Sequence, residues 1–210
     1  MTDVTLTASM TATAFAPHEM LYVLATVNTA GADFARLQLG LPFAAFDEAS
    51  LRAGVTSLFV RGFVAISNDQ VELSSVAAAV GYVLTSDSAW FEIVNTGESV
   101  TEGGWLVRFR ELSAFIRPRP LGTYELCLLS PEDAAEWLSE SSVEYLSAEV
   151  NRAVYITDRS PGASGGLVAR RFPDGTLTLV DKAAVTLHAG PSEQARAGVK
   201  SSLSEFLGRW

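Results

Sequence analysis

The chain has 210 residues, a formal charge of −9, 48% hydrophobic and only 19% charged residues, which is enough for a sizeable core in one domain or two small ones. A surplus of acid opposes a phosphate backbone, whose binding draws on clustered Lys and Arg, so nucleic acid is not an expected partner. The single cysteine, Cys127, excludes an internal disulfide and any multi-cysteine metal site.

The first dozen residues, rich in Thr and Ala, read as an edge strand or as disordered chain. Their Met-Thr-Asp start lacks the basic region and apolar run of a signal peptide. Pro17-His18-Glu19 opens a helix through Leu21, Leu24, Ala25 and Asn28. The link Leu39-Gly40-Leu41-Pro42-Phe43 is apolar and broken by proline, and is expected to pack as extended chain.

From Asp47 to Asn95 the order is helix, hairpin, helix, strand. Leu51, Val55, Leu58 and Phe59 share a helix face, and Gly62 stands where that helix can end in the left-handed conformation. The run Phe63 to Ile66 leads to the polar turn Ser67-Asn68-Asp69. Val76, Val80, Val83 and Leu84 form a second helical stripe, and Ala89 to Val94 reads as a strand. An acidic, glycine-containing hairpin loop is expected from Asn95 to Gly104.

Next, Trp105, Val107 and Phe109 alternate with Leu106, Arg108 and Arg110, giving one apolar and one mixed strand face. A strand around Ala114 to Arg117 is followed by Arg117-Pro118-Arg119-Pro120, a turn or an extended edge, whose arginines could grip an acidic partner. Tyr124, Leu126 and Leu128 alternate again. The apolar setting of Cys127 marks its thiol as a small buried hydrophobe. Ser130-Pro131-Glu132-Asp133 supplies an N-cap, a first-turn proline and acids for the helix of Ala134, Trp137 and Leu138. Strands are expected at Val154 to Thr157, Leu167 to Phe172, Thr176 to Val180 and Ala183 to His188, with Pro173-Asp174-Gly175 as a hairpin turn. A last helix carries Ala195, Val199, Leu203 and Phe206 on one face.

The expected fold is therefore a single α+β domain over residues 1–210. It has an antiparallel sheet flanked by helices and a helix-hairpin-helix segment in the N-terminal half. Its expected core includes Leu51, Leu58, Phe59, Val80, Trp105, Phe109 and Leu126.

No catalytic constellation emerges. Ser160-Pro161-Gly162-Ala163-Ser164-Gly165-Gly166 is like the nucleophile loop of trypsin-type proteases, but that chemistry needs a histidine base and an orienting acid. The chain has only His18 and His188, neither in such a context. The acid pairs Asp47-Glu48 and Glu132-Asp133 sit at helix starts, where the dipole accounts for them. Neither a phosphate-binding loop nor a dinucleotide fingerprint is present. Trp90, Trp105 and Trp137 fall on apolar faces and read as core. No catalytic, cofactor-binding or metal-ligating residue is assigned, and no cofactor is expected.

The charged share lies below the roughly 25% usual for soluble domains. Either another chain covers apolar surface, or the core is simply rich in Ala and Val. No stretch has the length of a membrane span, so a cytoplasmic location is expected, with no membrane partner.

Two stretches resemble the EspG-like chaperones of type VII (ESX) secretion. One is Leu51 to Leu84, whose first half reads Leu-x-x-x-Gly-Val-x-x-Leu-x-x-Arg-Gly-Phe-Val. The other is Tyr124 to Leu138, with Leu-Leu-Ser-Pro-Glu-Asp-Ala-Ala-Glu-Trp-Leu at its strand-to-helix step. The closing hairpin and helix follow in matching order. The resemblance implies a non-enzymatic protein that keeps a hydrophobic secretion substrate soluble, through a hairpin loop and C-terminal helices. By layout these are Thr96 to Gly103, with Glu98 and Glu102, and the Ser192 to Trp210 helix, ending in Phe206, Leu207 and Trp210. A protein partner or a second copy is therefore expected there. The alternatives are a winged-helix-derived regulator and an enzyme with an unrecognised site.

Overall fold

The computed structural model describes residues 12–27, 29–41, 47–68, 70–98, 101–181 and 186–208. The fold is α+β, with antiparallel sheet and flanking helices. Two compact units form. One takes residues 12–88 together with Ile116–Leu128, the other Ala89–Phe115 and the chain from Leu129 on. Both units are assembled from separate chain segments, so no linker-like composition marks them.

The helical unit begins with β1 (Thr13–Phe15), α1 (Pro17–Val27) and α2 (Ala30–Gln38). Helix α2 is not among the elements expected from the sequence; its N-cap is Thr29, whose hydroxyl accepts from the Ala32 amide. Then come α3 (Glu48–Val60), the hairpin β2 (Val64–Ser67) and β3 (Gln70–Leu73), and α4 (Ser75–Thr85). Asp47 caps α3 by accepting from the Ser50 amide at 2.6 Å, and Ser74 caps α4.

The α3 terminus is a Schellman arrangement. The amide of Phe63 donates to Leu58 O and that of Gly62 to Phe59 O, with Gly62 at φ 75°, a value that glycine adopts without strain. Helix α1 packs against α2, α3 and α4, burying Met20, Leu24, Leu58, Val80 and Leu84.

The sheet unit starts with β4 (Ala89–Thr96) and β5 (Thr101–Phe109), paired in register from Ala89↔Arg108 to Thr96↔Thr101. The strand β6 (Leu112–Pro118) crosses between the units at Phe115, and β7 (Tyr124–Leu129) pairs with β1. There follow α5 (Pro131–Ala148), β8 (Ala153–Asp158), β9 (Gly166–Arg171), β10 (Thr176–Asp181), β11 (Thr186–Pro191) and α6 (Ser192–Gly208). In this unit the strand order is β5-β4-β8-β9-β10-β11, with every pairing antiparallel. Its core joins Phe91, Leu106 and Ile156 of the sheet to Leu138 and Leu146 of α5 and Leu203 of α6.

Some expectations are corrected. Phe59 is exposed, not core, and Leu51 is only half-buried. On β5 the fully buried residues are Leu106 and Val107, while Trp105 and Phe109 are half-buried. Neighbouring strand residues point to opposite faces, so the centre of β5 is covered on both sides and no single apolar face exists to be read. The expected loop from Asn95 to Gly104 is mostly strand, leaving residues 97–100 between β4 and β5. The first eleven residues, Pro42-Phe43, Asp69, residues 183–185 and Trp210 lie outside the described residues.

Candidate functional site

The surface with the clearest excess of apolar side chains is built by α3 and the β2–β3 hairpin. In the hairpin Val64 pairs with Leu73 and Ile66 with Val71. Alternation puts all four on one face, with Ala65, Ser67, Gln70 and Glu72 on the other. The inner pair belongs to the fold, with Val64 buried and Leu73 half-buried. The outer pair does not, for Ile66 is 61% and Val71 47% exposed. Val60, at the end of α3, is 79% exposed, and Phe59 beside it is exposed as well. Among the described residues β2 and β3 pair only with each other, so the outer edges of the ribbon offer free backbone groups.

An ion pair at the base of this segment fixes it. Arg61 donates from Nη1 to Glu19 Oε2 at 2.6 Å and from Nη2 to Ala14 O at 2.7 Å. Glu19, 1% exposed, also accepts from Ser57 Oγ at 2.6 Å and from the Ala16 amide at 2.8 Å. The Arg61 guanidinium lies 5.0 Å from the Phe63 ring centre, within cation–π range. Burial opposes the charge of Glu19, but the hydrogen bonds of Ser57, Ala16 and Arg61 and the Arg61 charge outweigh it. They hold the carboxyl below its usual range. Thus the Arg-Gly of the α3 terminus has a structural account: the arginine ties α3 to β1 and α1, and the glycine turns the chain into the hairpin.

Of the residues expected to meet a partner, Glu98 and Glu102 lie where β4 meets β5, Phe206 and Leu207 lie on α6, and Trp210 is outside the described residues. Glu98, just past the end of β4, accepts from Asn151 Nδ2, and Glu102 lies on β5 opposite Asn95. Leu207 is fully buried, and Phe206 packs edge-on against Phe91 with ring centres 5.9 Å apart. Leu207 therefore belongs to the sheet-unit core, which corrects its expected role as an exposed contact, while Phe206 is half-buried against that core. The hydrophobic face of α6 is spent on the fold. Sequence reading missed the outer hairpin pair, yet the period-2 pattern Val64, Ile66, then Val71, Leu73 around a polar turn carried that signal.

The serine- and glycine-rich loop is a structural turn. Ser160 Oγ accepts from the Trp90 amide at 3.0 Å, and the Ser160 amide donates to Asp158 Oδ1 at 2.9 Å. The Arg159 amide donates to Trp90 O at 2.7 Å, while its guanidinium grips Glu92. These bonds pin the loop to β4 and leave Ser164 exposed. His18 is on α1, in the helical unit, and His188 on β11. Cys127 is buried, and burial together with Glu125 pushes its thiol pKa up against the opposing effect of Arg117. Among the described residues no cluster of His, Cys, Asp and Glu could hold a metal ion. No helix among them is long and apolar enough to cross a membrane. No protein-family model matches the chain, and no curated protein matches it either.

Proposed function

We propose that the chain is a non-enzymatic, cytoplasmic protein-binding module that covers an apolar segment of a partner, as a chaperone or adaptor does for a hydrophobic secretion substrate. The observation that carries this reading is the apolar hairpin face, which continues past the core as Ile66 and Val71. Apolar side chains set in a row on an exposed ribbon are unfavourable in water unless another chain covers them. The resemblance to EspG-like chaperones supplies the class of partner.

A DNA-binding regulator is less well supported. Of the two arginines of α3 and its terminus, Arg61 is held by buried Glu19 and Arg52 stands beside Glu48, on a chain of net charge −9 that repels phosphate.

The test is affinity purification of the tagged full chain from its native source, beside an Ile66→Asp/Val71→Asp variant. A stoichiometric partner with an apolar helix is expected, and at least a tenfold loss of it in the variant. A chain that stays monomeric at high concentration and retains no stoichiometric partner would sink the reading.

A further inference from the structure

We propose that the β2–β3 ribbon takes its partner by strand addition. An extended segment of the partner lies antiparallel along the outer edge of β3, with an apolar residue across from Val71 and a lysine or arginine across from Glu72. This deepens the hairpin reading and rests on it.

The register shows which backbone groups are free. Ala65 pairs with Glu72, Ile66 with Val71 and Ser67 with Gln70. Further along the same ladder the Ser74 amide donates to Phe63 O at 2.8 Å, which makes Phe63–Ser74 a hydrogen-bonded pair. Bonded and unbonded pairs alternate along an antiparallel ladder. Ala65–Glu72 and Ser67–Gln70 are therefore bonded inside the ribbon, and the amides and carbonyls of Ile66 and Val71 point outward. Among the described residues no other strand reaches them. Open groups of this kind match an extended backbone, because a helix satisfies its own.

The edge is unguarded. Edge strands ordinarily deter pairing with Lys, Pro or a bulge. Residues 64–73 contain no Lys, Arg or Pro, and the β2–β3 register is unbroken. Residues 65–67 and 70–72, which take in both faces of the ribbon, are all exposed. Two strands alone are marginally stable in water, whereas a third consolidates an apolar face. A strand beside β3 sets its apolar side chain next to Val71, itself 47% exposed.

Charge selects the sequence. Glu72 makes no ion pair among the described residues. The residue across from it in an added strand occupies an unbonded pair, where side chains approach most closely and opposite charges stabilise. A second copy brings an equally acidic ribbon with no cation. Strand β2 carries no charged side chain, so β3 is the edge that discriminates between partner sequences.

The experiment uses the full chain and the purified partner that the parent retains in the affinity purification. Amide hydrogen exchange at Ile66 and Val71 is followed by NMR, free and in complex. Exchange at Val71 should slow at least tenfold on binding, with Ile66 little changed. Glu72→Lys should weaken binding at least tenfold, and reversing the partner's cation across from it should restore affinity. An open Val71 amide, equal protection at Ile66 and Val71, or an affinity indifferent to Glu72→Lys would each overturn strand addition. Ile66→Asp/Val71→Asp separates the two readings. If that variant loses the partner while the Val71 amide stays open in the parent complex, the hairpin stands and strand addition fails. If it keeps the partner, or the parent retains none, both fail.

Discussion

Glu19 shows how much of this fold rests on one ionised side chain. Its carboxylate is buried with three donors, Ser57, Ala16 and Arg61, and truncating one side of such an arrangement leaves the other uncompensated. Glu19→Gln should therefore destabilise the protein by about 1.5–3 kcal/mol, the range for hydrogen bonds to charged groups, measured by urea unfolding at neutral pH. The folded-state pKa is lowered, so the contribution is complete above the usual carboxylate range. It is lost as pH falls through the lowered value. The difference between parent and variant should shrink over that acid window; equal stability at neutral pH would show that the carboxylate does not hold α3. In the sequence Glu19 is merely a first-turn acid. Its partner Arg61 lies 42 positions away, a separation no local pattern can reveal.

At the scale of elements, several helix caps were legible and the rotation of the helices was not. Asp47, Ser74 and Ser130 cap as residue type suggests, and Gly62 ends α3 as its position implies. The buried line of α3, however, runs through Gly54 and Leu58, not along the stripe to Phe59. A Cβ at Gly54 would come within 2.2 Å of His18 O, so the missing side chain lets α3 lie against the α1 backbone and rolls Phe59 outward. An apolar count cannot see a contact made by the absence of a side chain. Gly54→Ala should cost about 1–3 kcal/mol, as overpacking does, despite alanine's better helix propensity. A thermal melt at or above that of the parent would contradict the close approach. The end of α5 was equally hidden. Its last turn has no basic residue, but Arg152 donates to Tyr145 O and Arg171 to Ser147 O, cations supplied by the chain after the helix for its orphan carbonyls.

For the whole molecule, composition raised a question that burial answers in part. The hydrophobic share of 48% fills two cores, and Phe59, Val60, Ile66, Val71 and Leu121 remain exposed. An excess of apolar residues was legible in the sequence, but which of them stay exposed was not, because α6 carries as regular a stripe as any segment and buries most of it. Charge is legible without any structure, and it makes a firm prediction. The helix-hairpin-helix order of α3, β2, β3 and α4 is one that DNA-binding folds share, yet its arginines are committed to carboxylates on a chain of net charge −9. Approach to a duplex is therefore repulsive overall. Fluorescence anisotropy with labelled duplex DNA at about 150 mM salt, where screening acts over about 8 Å, should show no binding at micromolar protein. Binding that weakens steeply with added salt would reveal a basic surface, and the regulatory reading would then displace the chaperone one.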